Sequence, residues 1–239
     1  MEAAVKVITT QGLVLAFLPA LIVFGIMFRW AAGTKTAVYA TLRMLIQLLL
    51  IGYVLVYIFT ADHPGIIIGV LAVMLIAASW IAIRPVQHKQ PRVYLNALAA
   101  ISVSGLLTLG LVSQFVISVE PWFSPRYVVP LAGMIFAGAM NTVSLAAERL
   151  QAEIERETTY REARRIAFQA SLIPMINSLF AVGLVALPGM MTGQILSGVS
   201  PMVAAKYQIV VMAMLFGVSG ISSAIYLELQ HRSTRLTGA

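Results

Sequence analysis

The chain has 239 residues, 60% of them hydrophobic and 10% charged, with a formal net charge of +7 and no cysteine. A soluble domain carries about 25% charged residues, so the composition excludes an ordinary soluble globular protein and points to an integral membrane protein. The missing cysteine excludes disulfides, thiolate metal sites and a cysteine nucleophile. The apolar runs are long rather than alternating, so the spans are helices.

Seven spans are predicted, at roughly 7–28, 38–59, 65–83, 94–118, 127–147, 168–187 and 207–229, each near the ~20 residues that cross the hydrocarbon core. The first is too long for a signal-peptide core and has no clear small-x-small cleavage site; Pro19 should kink it. The second carries Arg43 and Gln47 at i, i+4 and hence on one face. Arg43 either snorkels to the headgroups or is a buried cation on a substrate path or gate. Next comes a stiff basic loop, Arg84 to Val93, with two prolines. In the fourth span Ser102, Ser104 and Gly105 permit close helix approach. Trp122 and Phe123 mark a membrane interface.

The fifth span opens with Pro130, read as lying in its first turn, and continues with the small residues Ala132, Gly133, Ala137, Gly138 and Ala139, a surface for tight packing. Asn141 lies in the same helix and needs a partner.

Ala146 to Gln169 holds ten of the chain's 25 Asp, Glu, Lys and Arg residues in 24 positions. One helix continues into it through Leu145, Leu150 and Ile154. A second starts at Thr159, where Thr159-Tyr160-Arg161-Glu162 has the form of a capping box, with the threonine oxygen accepting from the Glu162 N–H and the glutamate reaching back. The expectation is a helical hairpin at about 148–166, outside the bilayer: either a charged connection or a docking surface for a soluble partner.

The sixth span has Pro174 in mid-helix, and Asn177 or Ser178 could re-satisfy the freed carbonyl. Pro188-Gly189 should then break the chain, with Gly193, Gly198 and Pro201 keeping the backbone irregular. Ser200-Pro201 reads as a helix start. This stretch is too apolar for a plain loop and suits a re-entrant element beside a cavity. Met190 and Met191 alone are a weak soft-metal signal. The last span carries Gly217, Ser219, Gly220, Ser222 and Ser223 as another packing face.

Lysine and arginine set the orientation. Twelve fall on one side and three on the other (Lys6, Arg126 and Lys206), with Arg43 inside a span. That predicts an all-α polytopic protein with the N-terminus outside, the C-terminus inside and the hairpin cytoplasmic. The positive charge thus reports topology rather than nucleic-acid binding. There is no P-loop motif, so the chain does not bind ATP in that way, and no zinc-protease or serine-hydrolase motif. His63, His88 and His231 are assigned to separate loops on both sides of the membrane and cannot form one metal site. No span carries a central Asp or Glu for proton or cation coupling.

The segments Arg43 to Phe59 (RMLIQLLLIGYVLVYIF), Pro130 to Met140 (PLAGMIFAGAM), Ser171 to Pro174 (SLIP), Val182 to Gly193 (VGLVALPGMMTG) and Val199 to Ile209 (VSPMVAAKYQI) resemble the FetB-type permeases of ABC transporters, related to plant aluminium-tolerance permeases. The resemblance covers most of residues 38–225. It implies a multi-pass subunit of the cell (inner) membrane, a single permease domain over 1–239, that pairs with a separate cytoplasmic ATPase; a homodimer is expected because seven spans are few for a full transporter and the small-residue faces suit helix association. No cofactor belongs to this chain; ATP and Mg would be bound by the ATPase. Bacterial members are linked to iron export and plant relatives to UDP-glucose transport.

The resemblance makes the hairpin the coupling surface, with Glu148, Arg149, Thr159, Tyr160, Arg161, Glu162, Arg164 and Arg165. Pro174, Pro188, Gly189 and Gly193 become candidate hinges, and Arg43, Gln47, Asn141 and Asn177 a candidate substrate path. The chain departs from the family pattern in having Glu157-Thr158 where a Gly-containing turn is expected. The local chemistry also admits an anion or nucleotide sugar as substrate, and two other classes stay open: a carrier or channel that needs no ATPase, and a scaffold that only recruits a partner.

Overall fold

The computed structural model describes residues 8–60, 63–87 and 90–237, with side chains to Arg232. Lys6, His88 and Lys89, used above for topology and metal binding, lie outside the described residues, as does the side chain of Arg235. Among the described residues the secondary structure is helical apart from one isolated bridge, and the chain divides into two compact units, one ending at Thr60 and the other beginning at Ala61.

In the first unit α1 is Thr10–Leu15, α2 is Leu18–Arg29 and α3 is Thr34–Phe59. Thr9 caps α1, its hydroxyl accepting from the Gly12 N–H at 3.1 Å. The expected kink is a break: α2 restarts with Pro19 in its first turn, where a missing N–H costs nothing. Gly33, at φ 71°, turns the chain into α3, and α2 and α3 pack on each other.

In the second unit α4 is Pro64–Ala82, α5 is Pro91–Gly110, α6 is Pro125–Glu155, α7 is Tyr160–Ala181, α8 is Gly189–Leu196 and α9 is Pro201–Thr237. His63 is the N-cap of α4, its Nδ1 accepting from the Gly65 N–H at 3.1 Å, which gives this histidine a structural duty. The end of α5 widens into a π-helical stretch, Leu111–Val116, that the sequence reading treats as ordinary helix.

α6 is the centre of this unit and packs against α4, α5, α7 and α9. Its buried residues Ala132, Ile135, Phe136, Ala139, Val143, Ala146, Ala147 and Leu150 recur every three or four positions, the stripe of a helix facing neighbours. Lipid tails are as apolar as leucine, so close contact rather than exclusion from water holds such helices together. Gly105 of α5 gives the tightest case, since a Cβ there would stand 2.8 Å from the Phe136 ring. Gly138 lies against Leu215 in the same way, at 3.2 Å.

Several expectations are corrected. Pro130 is not in a first turn: α6 starts at Pro125, and Pro130 lies inside it. The sixth span ends at Ala181 rather than 187, because Val182 turns extended and Gly183 takes φ 84°. Gly193 is inside α8 and breaks nothing, whereas Gly198, at φ 90°, ends it. His231 belongs to α9 rather than to a loop. α9 is longer than its predicted span at both ends; its 37 residues reach about 55 Å, against a ~30 Å hydrocarbon core. The Ser200-Pro201 start holds, with the serine Oγ accepting from the Val203 N–H at 3.4 Å.

Among the described residues six helical stretches are long and apolar enough to cross a membrane: Thr10–Arg29, Thr34–Phe59, Pro64–Ala82, Pro91–Val116, Pro125–Glu155 and Pro201–Arg232. The protein is therefore a polytopic membrane protein. The predicted sixth span, on α7, does not meet that standard, because four of its first six residues are charged, which leaves sixteen uncharged ones from Ile166 to Ala181. α7 nevertheless runs antiparallel to α9 over most of its length. Arg164 meets Glu228 at one end, Ser171 and Ser223 share a hydrogen bond of 3.0 Å in the middle, and Leu179 and Val182 share a cavity with Ala205 and Gln208 at the other end.

Candidate functional site: the hairpin surface

The hairpin turn is built from Arg156 to Thr159. The N–H of Thr158 bonds back to the Glu153 carbonyl at 3.2 Å and that of Glu157 to the Ile154 carbonyl at 2.9 Å. These are the paired 6→1 and 5→2 bonds of a Schellman ending, which needs a left-handed residue between them. Glu157 fills that place, at φ 59°. The turn in which the family resemblance expects a glycine therefore has a left-handed residue, and that residue is Glu157.

Thr159 is the N-cap residue of α7, but the capping box does not form: its side chain makes no cap hydrogen bond. Glu162 instead accepts two bonds from Arg165, at 3.2 Å from Nε and 2.6 Å from a terminal nitrogen. A forked, charge-assisted pair outcompetes one backbone N–H for the carboxylate. These bonds hold the Glu162 carboxyl below its ordinary pKa and the Arg165 guanidinium above its own.

The sequence reading missed Glu153. It is buried beneath the turn, and its carboxylate takes Arg149 at 2.7 Å, Arg156 at 3.1 Å and the Thr158 hydroxyl at 3.4 Å. A buried carboxylate survives only with such a full set of partners. The i−4 and i+3 arginines around it are the signal that could have revealed it. Gln151 adds a tie to the preceding loop, accepting from the Gln87 N–H at 3.1 Å while donating to Glu155 at 2.8 Å.

The end of α9 joins the surface, which sequence alone did not suggest. Arg164 and Glu228 pair at 2.7 Å, Tyr160 donates its hydroxyl to the Leu227 carbonyl, and the Tyr160 ring stacks on His231 with centroids 4.3 Å apart. Burial pushes the Tyr160 phenol up, so it stays a donor. Between α7 and α9 lies a groove of about 1020 Å³. Arg161, Arg164, Arg165 and Arg232 outnumber Glu162 and Glu228 along it, and Phe168, Ile225 and Leu227 supply apolar lining. Arg161 is exposed and has no ion pair among the described residues. Such a surface suits an apolar helix face flanked by acidic side chains.

The other predicted residues are divided between the two units. Arg43 and Gln47 are exposed one turn apart on α3, in the first unit. Asn141 and Asn177 are exposed on α6 and α7 of the second, without the hydrogen-bond partner expected for Asn141. Ser178 bonds the Pro174 carbonyl at 2.9 Å, so neither it nor Asn177 restores the bond that Pro174 removes one turn earlier. Pro188 and Gly189 begin α8. Among the described residues no three His, Asp or Glu side chains gather to hold a metal ion.

A family model described as "Uncharacterised protein family (UPF0014)" matches residues 10–234. The "Probable iron export permease protein FetB" of Escherichia coli K12 is 32% identical over 94% of this chain and 92% of its own length. The "UPF0014 membrane protein slr1647" of a Synechocystis strain is 34% identical over 81% of this chain and 77% of its own. The "Protein ALUMINUM SENSITIVE 3" of Arabidopsis thaliana is 33% identical over 78% of this chain and 72% of its own. No solved structure matches.

Proposed function

The chain belongs to the UPF0014 family, and from that premise we propose that it is the membrane-spanning permease of an ABC transporter, driven by a separate ATPase subunit. The observation that carries this reading is the arginine-rimmed groove between α7 and α9, a helix-accepting surface built on the only strongly charged stretch of the chain. The ATPase supplies ATP binding with Mg and the hydrolysis; this chain supplies the path and the surface that receives the motion. Tyr160, Arg164 and Glu228 position the two helices, and Arg161 offers its charge to the partner.

The twelve-to-three distribution of basic residues favours a cytoplasmic hairpin, with the N-terminus outside and the C-terminus inside. The antiparallel register of α7 with α9 supports counting α7 as a seventh crossing. Seven crossings are few for a whole transporter, which favours a homodimer with two ATPase subunits. The name of the Escherichia coli relative supports iron as the exported substrate.

The test is to co-express the chain with its candidate ATPase, reconstitute the purified complex in vesicles and measure ATP hydrolysis and transport with iron and nucleotide-sugar ligands. Stimulation and transport selective for iron, both lost in Arg161→Glu, are expected. A folded permease that forms no complex and leaves hydrolysis unchanged would refute the reading.

A further inference from the structure

A second cavity, of about 620 Å³, lies at the opposite end of α6 and α9 from the hairpin. Its distinctive lining residues are Arg126, Pro130 and Met134 of α6, Met190 and Gln194 of α8, and Tyr207 of α9. Ile117, Tyr127 and leucine and valine side chains complete the walls.

Three features of this cavity ask for a ligand of particular chemistry. Arg126 is an exposed cation without an ion pair among the described residues. Gln194 has a buried Oε1 with no hydrogen-bond partner among the described residues, and leaving a buried acceptor unpaired is destabilising. Its terminal torsion is soft, so the amide can turn to meet a donor. Pro130, lacking an N–H, offers no helical bond to the Arg126 carbonyl, which leaves a second acceptor unserved by its i+4 neighbour. A matching ligand therefore carries an anionic group for Arg126, an N–H or O–H donor for Gln194, and an apolar body for the walls.

The setting says which amphiphile meets those terms. Arg126 is the second residue of the α6 span, and Trp122 and Phe123, their rings in edge contact at 5.6 Å, stand just before it. Aromatic residues followed by an apolar helix mark the headgroup level of a bilayer. An apolar chamber with one cation at that level matches the headgroup and first acyl carbons of a phospholipid.

We propose that this cavity is a phospholipid site selective for headgroups that donate hydrogen bonds, as in phosphatidylethanolamine. The phosphate pairs with Arg126, the ammonium donates to Gln194 Oε1, and an acyl chain lies along Val203 and Val210. The proposal is independent of the transport reading. Phosphatidylcholine, with the same net charge and phosphate, has no N–H to give.

The experiment is lipid binding to the full chain, purified in mild detergent and followed by native mass spectrometry, with the two lipids matched in acyl chains. Phosphatidylethanolamine should bind about tenfold more tightly than phosphatidylcholine, the worth of one net hydrogen bond. Gln194→Leu should erase that preference, and Gln194→Glu, which keeps an acceptor, should retain it. Arg126→Gln should weaken both lipids alike. Equal binding of the two lipids by the unaltered chain overturns the proposal, even if every variant fails to fold. So does a preference that survives Gln194→Leu. Displacement of the lipid by soluble glycerol phosphate at similar concentration would transfer the site to a water-soluble phosphate ester and overturn the lipid assignment.

Discussion

Arg164 in the first turns of α7 and Glu228 near the end of α9 meet at 2.7 Å across sixty-four positions of sequence. Both side chains are partly exposed, 42% and 45%, and such pairs contribute roughly 0–1 kcal/mol to stability. The pair's value is alignment: it holds the edge of the groove in register. Reversing either charge should leave melting in detergent within about 1 kcal/mol of the parent while weakening ATPase stimulation. The double reversal Arg164→Glu with Glu228→Arg should restore stimulation. Full stimulation in both single variants would remove the pair from the coupling surface.

Glu157 should be improvable. It holds the left-handed backbone of a Schellman ending, which glycine adopts without the roughly 1–2 kcal/mol that other L residues incur. Glu157→Gly should therefore raise the melting temperature by several degrees. An unchanged or lower value would mean that the glutamate side chain makes compensating interactions.

Gly105 should tolerate no side chain. A Cβ would stand 2.8 Å from the ring of Phe136, which is 2% exposed and has no room to retreat. Gly105→Ala should destabilise by about 1–3 kcal/mol, the usual penalty of overpacking, and Phe136→Leu in the same chain should recover part of it. Thermal melting of the two variants side by side decides.

Tyr160→Phe removes the hydroxyl that serves the Leu227 carbonyl but leaves the ring to stack on His231. The expected cost is about 1 kcal/mol. Hydrogen exchange at the ends of α7 and α9 should rise while α4 and α5 stay protected. A uniform rise across the second unit would argue against a local bond.

Acid should loosen the start of α7. The Glu162 carboxyl is held below its ordinary pKa chiefly by its bonds from Arg165. A carboxyl lowered on folding contributes above its unfolded pKa, and the contribution is lost as pH falls through the folded value. Arg165→Gln should move the Glu162 titration upward, as read by carbon NMR of the labelled carboxyl. No movement would show that the bond is absent in solution.

The helices and the hairpin were legible because apolar length and clustered charge act locally: the run from Leu145 through Ile154 had to continue α6, and Ser200-Pro201 had to start α9. What failed depended on competition or distance. Thr159 and Glu162 fit a cap at the level of spacing, but Arg165 captures the carboxylate. Pro130 looked like a first-turn proline because the predicted span begins at 127, whereas the helix begins at Pro125. The meeting of Tyr160 with Leu227 and His231 joins residues about seventy positions apart, and no local pattern announces it. Arg43, Gln47, Asn141 and Asn177 drew attention as polar residues in apolar surroundings, and the fold assigns two of them to each unit.

α9 runs unbroken from the second cavity at Tyr207 to the groove at Glu228, twenty-one residues or about 32 Å. α6 makes the same journey beside it, from Arg126 to the turn above Glu153. The two chambers are thus opposite ends of a pair of torsion bars. On the readings proposed above, a twist applied by a protein docked at the groove would re-aim Arg126 and Tyr207 at the far end, and a lipid held there would set how stiffly the bars resist.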